Sequence, residues 1–406
     1  MSLIAPDLRF DPASLDATGS VLSQLASSPG LSRAELMEAA GLSRVTLAQR
    51  LSALAAAGLV REGEETVPSG GRPTRLLGLA DDAGCILAAD IGEQEVRLAA
   101  TDLSGVILRR DAIDFRPTDD PEATMERIAA AFEALRQPGD PFVAGIGISL
   151  PAPVDHRAGH AVGPSILRGW DHFPVAGWMV ERFGAPSFAE NDVNLITLHE
   201  HLRHHEGDEA FLFVKVGTGI GSGLMTEGRL YRGARGAAGD IGHIQFFDDR
   251  APPLCRCGKL GCLEARAAGW ALARDLRSQG FEASNARDVI AHVEDGATEA
   301  IALVRAAGRA VGEALSDAVS ILNPARIVVG GTLALAGEHL MEGIRELVQE
   351  RCLPLATRDL VLTASSTPDY ACLVGAAICV RERVFSAAGV DRFLGRYGRW
   401  FAAQAG

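Results

Sequence analysis

The chain of 406 residues lacks several features that would each have settled its class. Its opening, MSLIAPDLRFDPASL, carries no basic stretch followed by an apolar core, so no secretory leader is expected. No apolar run approaches the roughly 20 residues that span a bilayer, which argues against a membrane partner. Seven cysteines, three of them gathered in one string and four scattered, do not make a disulfide framework, and a reducing cytoplasm suits them. Cationic charge is short: 39 Lys and Arg stand against 52 Asp and Glu, a net −13. That excludes a non-specific nucleic-acid coat and leaves room for a local DNA-reading face. Internal repeats and low-complexity tracts are also missing. What is present, 47% hydrophobic and 22% charged residues, is ordinary for a globular protein, and the length suggests two or three domains.

Ligand-bearing side chains gather in one stretch. His243 is followed by Cys255, Cys257 and Cys262 in CRCGKLGC. One imidazole and three thiols within loop length are the donor set of a closed, tetrahedral, structural zinc site. Such a metal does no chemistry. It fixes a loop, here one that sets Asp240, His243 and Glu264 beside one another. The remaining cysteines, Cys85, Cys352, Cys372 and Cys379, read as core thiols.

Residues 1–80 read as a winged helix-turn-helix. SVLSQLASSPG is an amphipathic helix ended by Pro29-Gly30, and Ser32 with Glu35 forms a capping box for the next. Ser43 caps a third helix, in which Leu47, Leu51, Leu54 and Ala55 have core spacing. Ser43, Arg44, Thr46, Gln49 and Arg50 lie elsewhere on that helix and are the candidate DNA contacts. No acidic residue occurs between Ser43 and Arg61, as suits a face turned to phosphates. A hairpin wing starts at Leu59-Val60, and its tip Gly70-Gly71-Arg72-Pro73 offers Arg72 to a minor groove or phosphate. The competing reading is a small helical interaction domain.

Beyond Ala80 strands alternate with helices, the pattern of an α/β fold. Strands are expected at Cys85 to Asp90, Glu95 to Thr101 and Phe211 to Val216, with a helix from Pro121 to Arg136. Glycine recurs at strand exits, above all in Gly217-Thr218-Gly219-Ile220-Gly221, which suits close approach of a phosphate.

The strings GIGISLPAPVD, AENDVN, VGTGIGSGL, GAAGDIGHI, CRCGKLGCLE and NPARIVVGG resemble those of the ROK family of repressors and sugar kinases. The resemblance covers essentially the whole chain, because many regulators of the family carry a winged helix with a Gly-Gly-Arg-Pro tip. It implies an actin-like (ribonuclease H-like), two-lobed body of the sugar-kinase type. The small lobe would span 81–192, with a C-terminal helix 371–406 returning to it, and the large lobe 193–370. It also implies that Asn191, Asp192, Asp240, His243 and Glu264 hold a sugar, with His243 turning one ring nitrogen to zinc and the other to the sugar. Asp192 occupies the position of the kinases' catalytic base but is expected here only to accept a hydrogen bond. The pair Asn191-Asp192 also reads as a helix N-cap, and both roles are compatible.

Two departures matter. Family kinases hold ATP with an Asp-x-Gly-Gly-Thr loop; here Asp90 and Gly92 remain, but Glu93 and Gln94 replace the second glycine and the hydroxyl. A carboxylate about 4 Å from a phosphate charge costs around 4 kcal/mol at an effective dielectric of 20, unless Glu93 turns away to solvent. The phosphate-loop residues Asp90, Gly92, Gly217, Thr218 and Gly219 are therefore expected to bind nucleotide poorly, with no catalytic residue at work. The usual Gly-Glu-Ile-Gly-His is also Gly-Asp-Ile-Gly-His, which shortens Asp240 and puts the sugar's identity in question.

The expected protein is a sugar-responsive regulator, a repressor of carbohydrate genes, with structural Zn2+. Its partners would be operator DNA and a sugar effector, and it would work as a homodimer or dimer of dimers on a palindromic site. The alternatives are an ATP-dependent sugar kinase with a DNA-binding appendage, and a DNA-binding protein whose body only dimerises. Trp170 reads as lid or core, and the tail RFLGRYGRWFAAQAG as body packing or an oligomer contact. His199, His201, His204 and His205 read as a solvated helix end.

Overall fold

A computed structural model describes residues 12–404 except 29, 68–73, 94, 115, 117–119, 164–166, 168, 248–250 and 367–368. Three helices open it: α1 (Gly19–Ser27), α2 (Arg33–Ala40) and α3 (Arg44–Ala56). The capping box forms as the sequence predicts: Ser32 Oγ accepts from Glu35 N, and Glu35 accepts from Ser32 N at 2.8 Å. Gly41 ends α2 with φ +63°, a conformation that glycine reaches without strain. Ser43 then caps α3, accepting from Thr46 N at 3.2 Å. Leu47, Leu51 and Leu54 are buried, but Ala55 is exposed, and Ala57, the C-cap just past the helix, takes the inward place. The wing pairs β1 (Val60–Val67) antiparallel to β2 (Thr74–Leu79), and Leu31 bridges Leu77 as a short third strand. The tip, with Arg72, lies outside the described residues.

Next come β3 (Gly84–Ile91), β4 (Glu95–Asp102), β5 (Ile107–Asp114), α4 (Pro121–Leu135) and β6 (Phe142–Leu150). A small hairpin, β7 (Val154–Asp155) with β8 (His160–Ala161), precedes α5 (Val175–Phe183) and β9 (Ser187–Asn191). The sheet order is β5-β4-β3-β6-β9, antiparallel among β3, β4 and β5 and parallel from β3 through β6 to β9. Both β3 and β6 are buried almost throughout, as strands covered by helices on two faces must be. Asp120, exposed, caps α4, accepting from Glu122 N and Ala123 N. Trp170 is fully buried in this lobe's core, so it packs and does not cover.

Helix α6 (Asp192–His204) leads to β10 (Ala210–Val216), β11 (Ile220–Thr226) and β12 (Arg229–Leu230). Helices α7 (Leu263–Ala267), α8 (Gly269–Ser278), α9 (Ala286–Glu294) and α10 (Thr298–Leu322) precede β13 (Arg326–Gly330). Then follow α11 (Glu338–Arg351), α12 (Pro354–Thr357) and β14 (Val361–Ala364). This sheet runs β12-β11-β10-β13-β14 with the same alternation of antiparallel and parallel pairs as the first. The fold therefore repeats although the sequence does not.

The end of the chain is two helices, α13 (Ala371–Val384) and α14 (Val390–Gln404), where one helix over 371–406 is expected. Gly389 marks the break: a Cβ there would lie 2.3 Å from Arg383 O, so no side chain fits. Helix α13 packs against α6, and α14 packs under the winged helix, where Tyr397 donates to Ala57 O at 2.8 Å. One core joins Leu22, Leu54, Phe142, Phe393 and Tyr397. The aromatic tail is thus the keel of the winged helix.

Candidate functional site

A cleft of about 1250 Å³ opens where the strands of the two sheets end, the usual place for a ligand in such folds. Asp90, Asn191, Asp192, Asp240, His243, Glu264 and the Gly217–Gly219 turn all line it, so residues far apart in sequence converge. Asn191 is the N-cap of α6: its Oδ1 accepts from Val193 N and Asn194 N, and its Nδ2 donates to Ala152 O at 3.0 Å. Asp192 Oδ1 accepts from Val193 N, while its Oδ2 meets Lys215 Nζ at 2.5 Å.

Lys215 was not foreseen, though a lysine interrupting the apolar strand FLFVKV was the available signal. Burial works to discharge its ammonium, and the Asp192 carboxylate more than reverses this, holding it above the ordinary lysine range. Asp90 is pushed up by burial and by Asp192, although Ser149 Oγ donates to it at 2.6 Å. Cys372, at the start of α13, lies 3.1 Å from the same hydroxyl and is raised by burial, a core thiol that floors the cleft.

The loop from Asp240 to Glu264 closes one side. A short 3-10 turn, Ile241–His243, lies against β11, and Gly239 (φ +90°) is the hinge that allows it. A Cβ there would lie 2.1 Å from Ser222 O. His243, Cys255, Cys257 and Cys262 place one donor atom each within 4.8 Å of the others. Cys257 Sγ and Cys262 Sγ are 3.7 Å apart, and Cys255 Sγ is 4.0 Å from His243 Nδ1. Thiolates held at about 2.3 Å around a tetrahedral zinc lie about 3.8 Å from one another, so the donor set fits such a metal. Burial pushes the Cys255 thiol up to about 12, as expected of sulfurs gathered with no counter-charge. Glu264 ties the loop to the glycine turn: one carboxylate oxygen accepts from Ile220 N at 3.3 Å, the other from Trp270 Nε1 at 3.4 Å.

Glu93 lines the cleft while staying partly exposed. Its Oε1 lies 3.8 Å from Arg256 Nη1, across the cleft and between two of the cysteines, and Arg256 in turn sits over the Trp270 ring. The turn after β3 is thus answered by a charge of the protein itself. Gln94 lies outside the described residues.

At the other end, the open face of α3 carries Arg44, Val45, Ala48, Gln49 and Ser52. Arg44 and Gln49 are exposed as expected, Thr46 is half-buried beside Ser43, and Arg50 is tied to Ser20 Oγ at 3.1 Å. Val45, 68% exposed, was missed because sequence reasoning sought only polar readers. Arg61 pairs with Asp81. His199 and His201 are buried, against the expectation of a solvated helix end, because α6 is sandwiched between β10, β11 and α13. His201 packs on Phe211 and bonds Asp208 O.

The ROK family model matches residues 86–383. The chain belongs to the ROK family. Its two-lobed α/β body and N-terminal winged helix-turn-helix are those of the family's regulators. A xylose repressor of Caldicellulosiruptor bescii is 26% identical over 376 residues, 88% of this chain and 93% of its own. An N-acetylmannosamine kinase of Citrobacter koseri is 30% identical over 293 residues, which is 72% of this chain but 97% of the kinase. A ROK transcriptional regulator structure, a homologue of the Escherichia coli MLC protein, superposes with TM-score 0.79 at 23% identity, covering 95% of this chain and 100% of its own. Among the described residues no helix is long and apolar enough to cross a membrane.

Proposed function

We propose that this protein is a sugar-responsive transcriptional repressor acting in the cytoplasm, with a kinase-derived body that no longer transfers phosphate. The observation that carries the reading is one of coverage: the kinase is matched almost entirely by 72% of this chain, whereas the repressor is matched by 88%. What the kinase leaves unmatched is long enough to hold the winged helix. The division is 1–80 for DNA binding, 81–192 with 371–406 for the small lobe, and 193–370 for the large lobe.

Asp192, Asp240, His243 and Glu264 face the cleft and take sugar hydroxyls, with Asn191 holding Asp192 in place through the α6 cap. Zinc on His243, Cys255, Cys257 and Cys262 supplies rigidity and no reaction step. Arg44 and Gln49 with Val45 present the recognition face, aided by the wing with Arg72; Ser43 and Thr46 shape its N-terminus and Arg50 braces it on α1. Sugar binding alters lobe closure, α13 carries the movement from the cleft floor, and α14 passes it to the winged helix through Tyr397. A homodimer, or a dimer of dimers, then changes its half-site spacing on a palindromic operator.

The intact Gly217–Gly219 turn favours the second reading, a sugar kinase with a DNA-binding appendage. Fluorescence anisotropy on DNA upstream of its own and neighbouring sugar genes, with and without a sugar panel, tests the repressor. Parallel ADP release tests the kinase. Sugar-dependent DNA binding without turnover is expected. Turnover near about one per second, the low end of ordinary enzymes, would reverse the assignment.

A further inference from the structure

We infer that His199, Glu200 and His204 form a second transition-metal site, at the C-terminal end of α6 and apart from the cysteine loop. Their donor atoms lie within 4.8 Å of one another. Glu200 and His204 are one turn apart on the helix, and His199 flanks them.

Two independent observations point to a cation-binding site. His199 is only 6% exposed, and its Nδ1 is buried with no hydrogen-bond partner among the described residues. Glu200 is 3% exposed, and no lysine or arginine pairs with it among the described residues. Its carboxylate receives only the Ser365 hydroxyl at 3.2 Å and the His205 ring at 3.7 Å. A buried charged carboxylate beside an unsatisfied imidazole is costly, and one cation bound by both relieves the two together.

The chemistry of the set is specific. Two imidazoles with one carboxylate select zinc, nickel or cobalt over magnesium or calcium, which prefer all-oxygen shells. Donors about 2.1 Å from such an ion lie about 3.4 Å apart, so the set must contract. His204, exposed and last in the helix, is the member free to swing in. Ser365 supplies the outer hydrogen bond that orients a ligating carboxylate. Because Ser365 follows β14, metal there would pin α6 to the large-lobe sheet at the end opposite Asp192.

The test is metal counting on the full chain after chelation and equilibrium dialysis against Zn2+. Wild type should hold one equivalent more than His204→Ala, while Cys257→Ala should keep that equivalent and lose the one in the cysteine loop. His204 is exposed, so its removal should leave the circular dichroism unchanged. With Co2+, the equivalent lost in His204→Ala should absorb in the visible without a thiolate charge-transfer band. If well-folded His204→Ala takes up as much Zn2+ as wild type, the site does not exist.

Discussion

Lys215 Nζ stands 2.5 Å from Asp192 Oδ2 on the cleft floor. An ammonium so placed donates to the carboxylate and occupies the oxygen that would otherwise take a proton from a substrate hydroxyl. The pair is partly accessible, so Lys215→Met should cost about 2–3 kcal/mol, below the range for fully buried pairs. Urea unfolding would measure it. No loss would mean that Asp192 finds water as a partner equally well.

The carboxylate of Glu93, answered by Arg256, should keep nucleotide out. Replacing Glu93 by Gly and Gln94 by Thr should raise ATP-analogue affinity at least tenfold by calorimetry, part of the roughly thousandfold that a full unit of repulsion represents. ADP release should remain absent, because Lys215 still holds Asp192.

Acid should relieve Asp90. Burial raises its folded-state pKa above that of the unfolded chain, so its contribution to stability is fully present below the ordinary carboxylate range. That contribution is lost as pH climbs through the raised value. Asp90→Asn, which can still accept from Ser149, should therefore be more stable than wild type at pH 7, the difference fading towards pH 4 (approximately the unfolded carboxyl pKa). Melting temperatures across that interval would show it, and a constant difference would refute the assignment.

On α3, Arg44 and Arg50 should behave differently. Arg44 is free to meet a phosphate, so Arg44→Ala should lower operator affinity and flatten the log–log salt dependence by about 0.9. Arg50, bonded to Ser20, should weaken binding through helix placement with little change of salt slope. Anisotropy titrations over a salt series distinguish them.

Tyr397→Phe removes a buried hydrogen bond to Ala57, at a cost of about 1 kcal/mol. If α14 transmits the sugar signal, sugar affinity should persist while its effect on DNA binding shrinks. An unchanged response would place the route elsewhere.

Local chemistry was legible before any coordinates. Ser32 with Glu35 and Ser43 cap their helices because capping needs only residues three apart. The spacing of His243, Cys255, Cys257 and Cys262 announced a gathered donor set because one segment supplies all four side chains. Relations between segments were not legible. Lys215 beside Asp192, Arg256 facing Glu93, and Arg50 held by Ser20 each join strings that no local pattern connects.

The order of residues by itself determined the helix caps, the buried strands, the metal-donor string and the membership in the family, since each rests on neighbours within about one turn or one loop. Tertiary packing alone decided the rest. It buried His199 and His201 by laying α6 between a sheet and α13, and it turned the aromatic tail into the floor of the winged helix. It also set a lysine against Asp192 on the cleft floor. Burial and charge pairing depend on which surfaces meet, and that is a property of the folded chain.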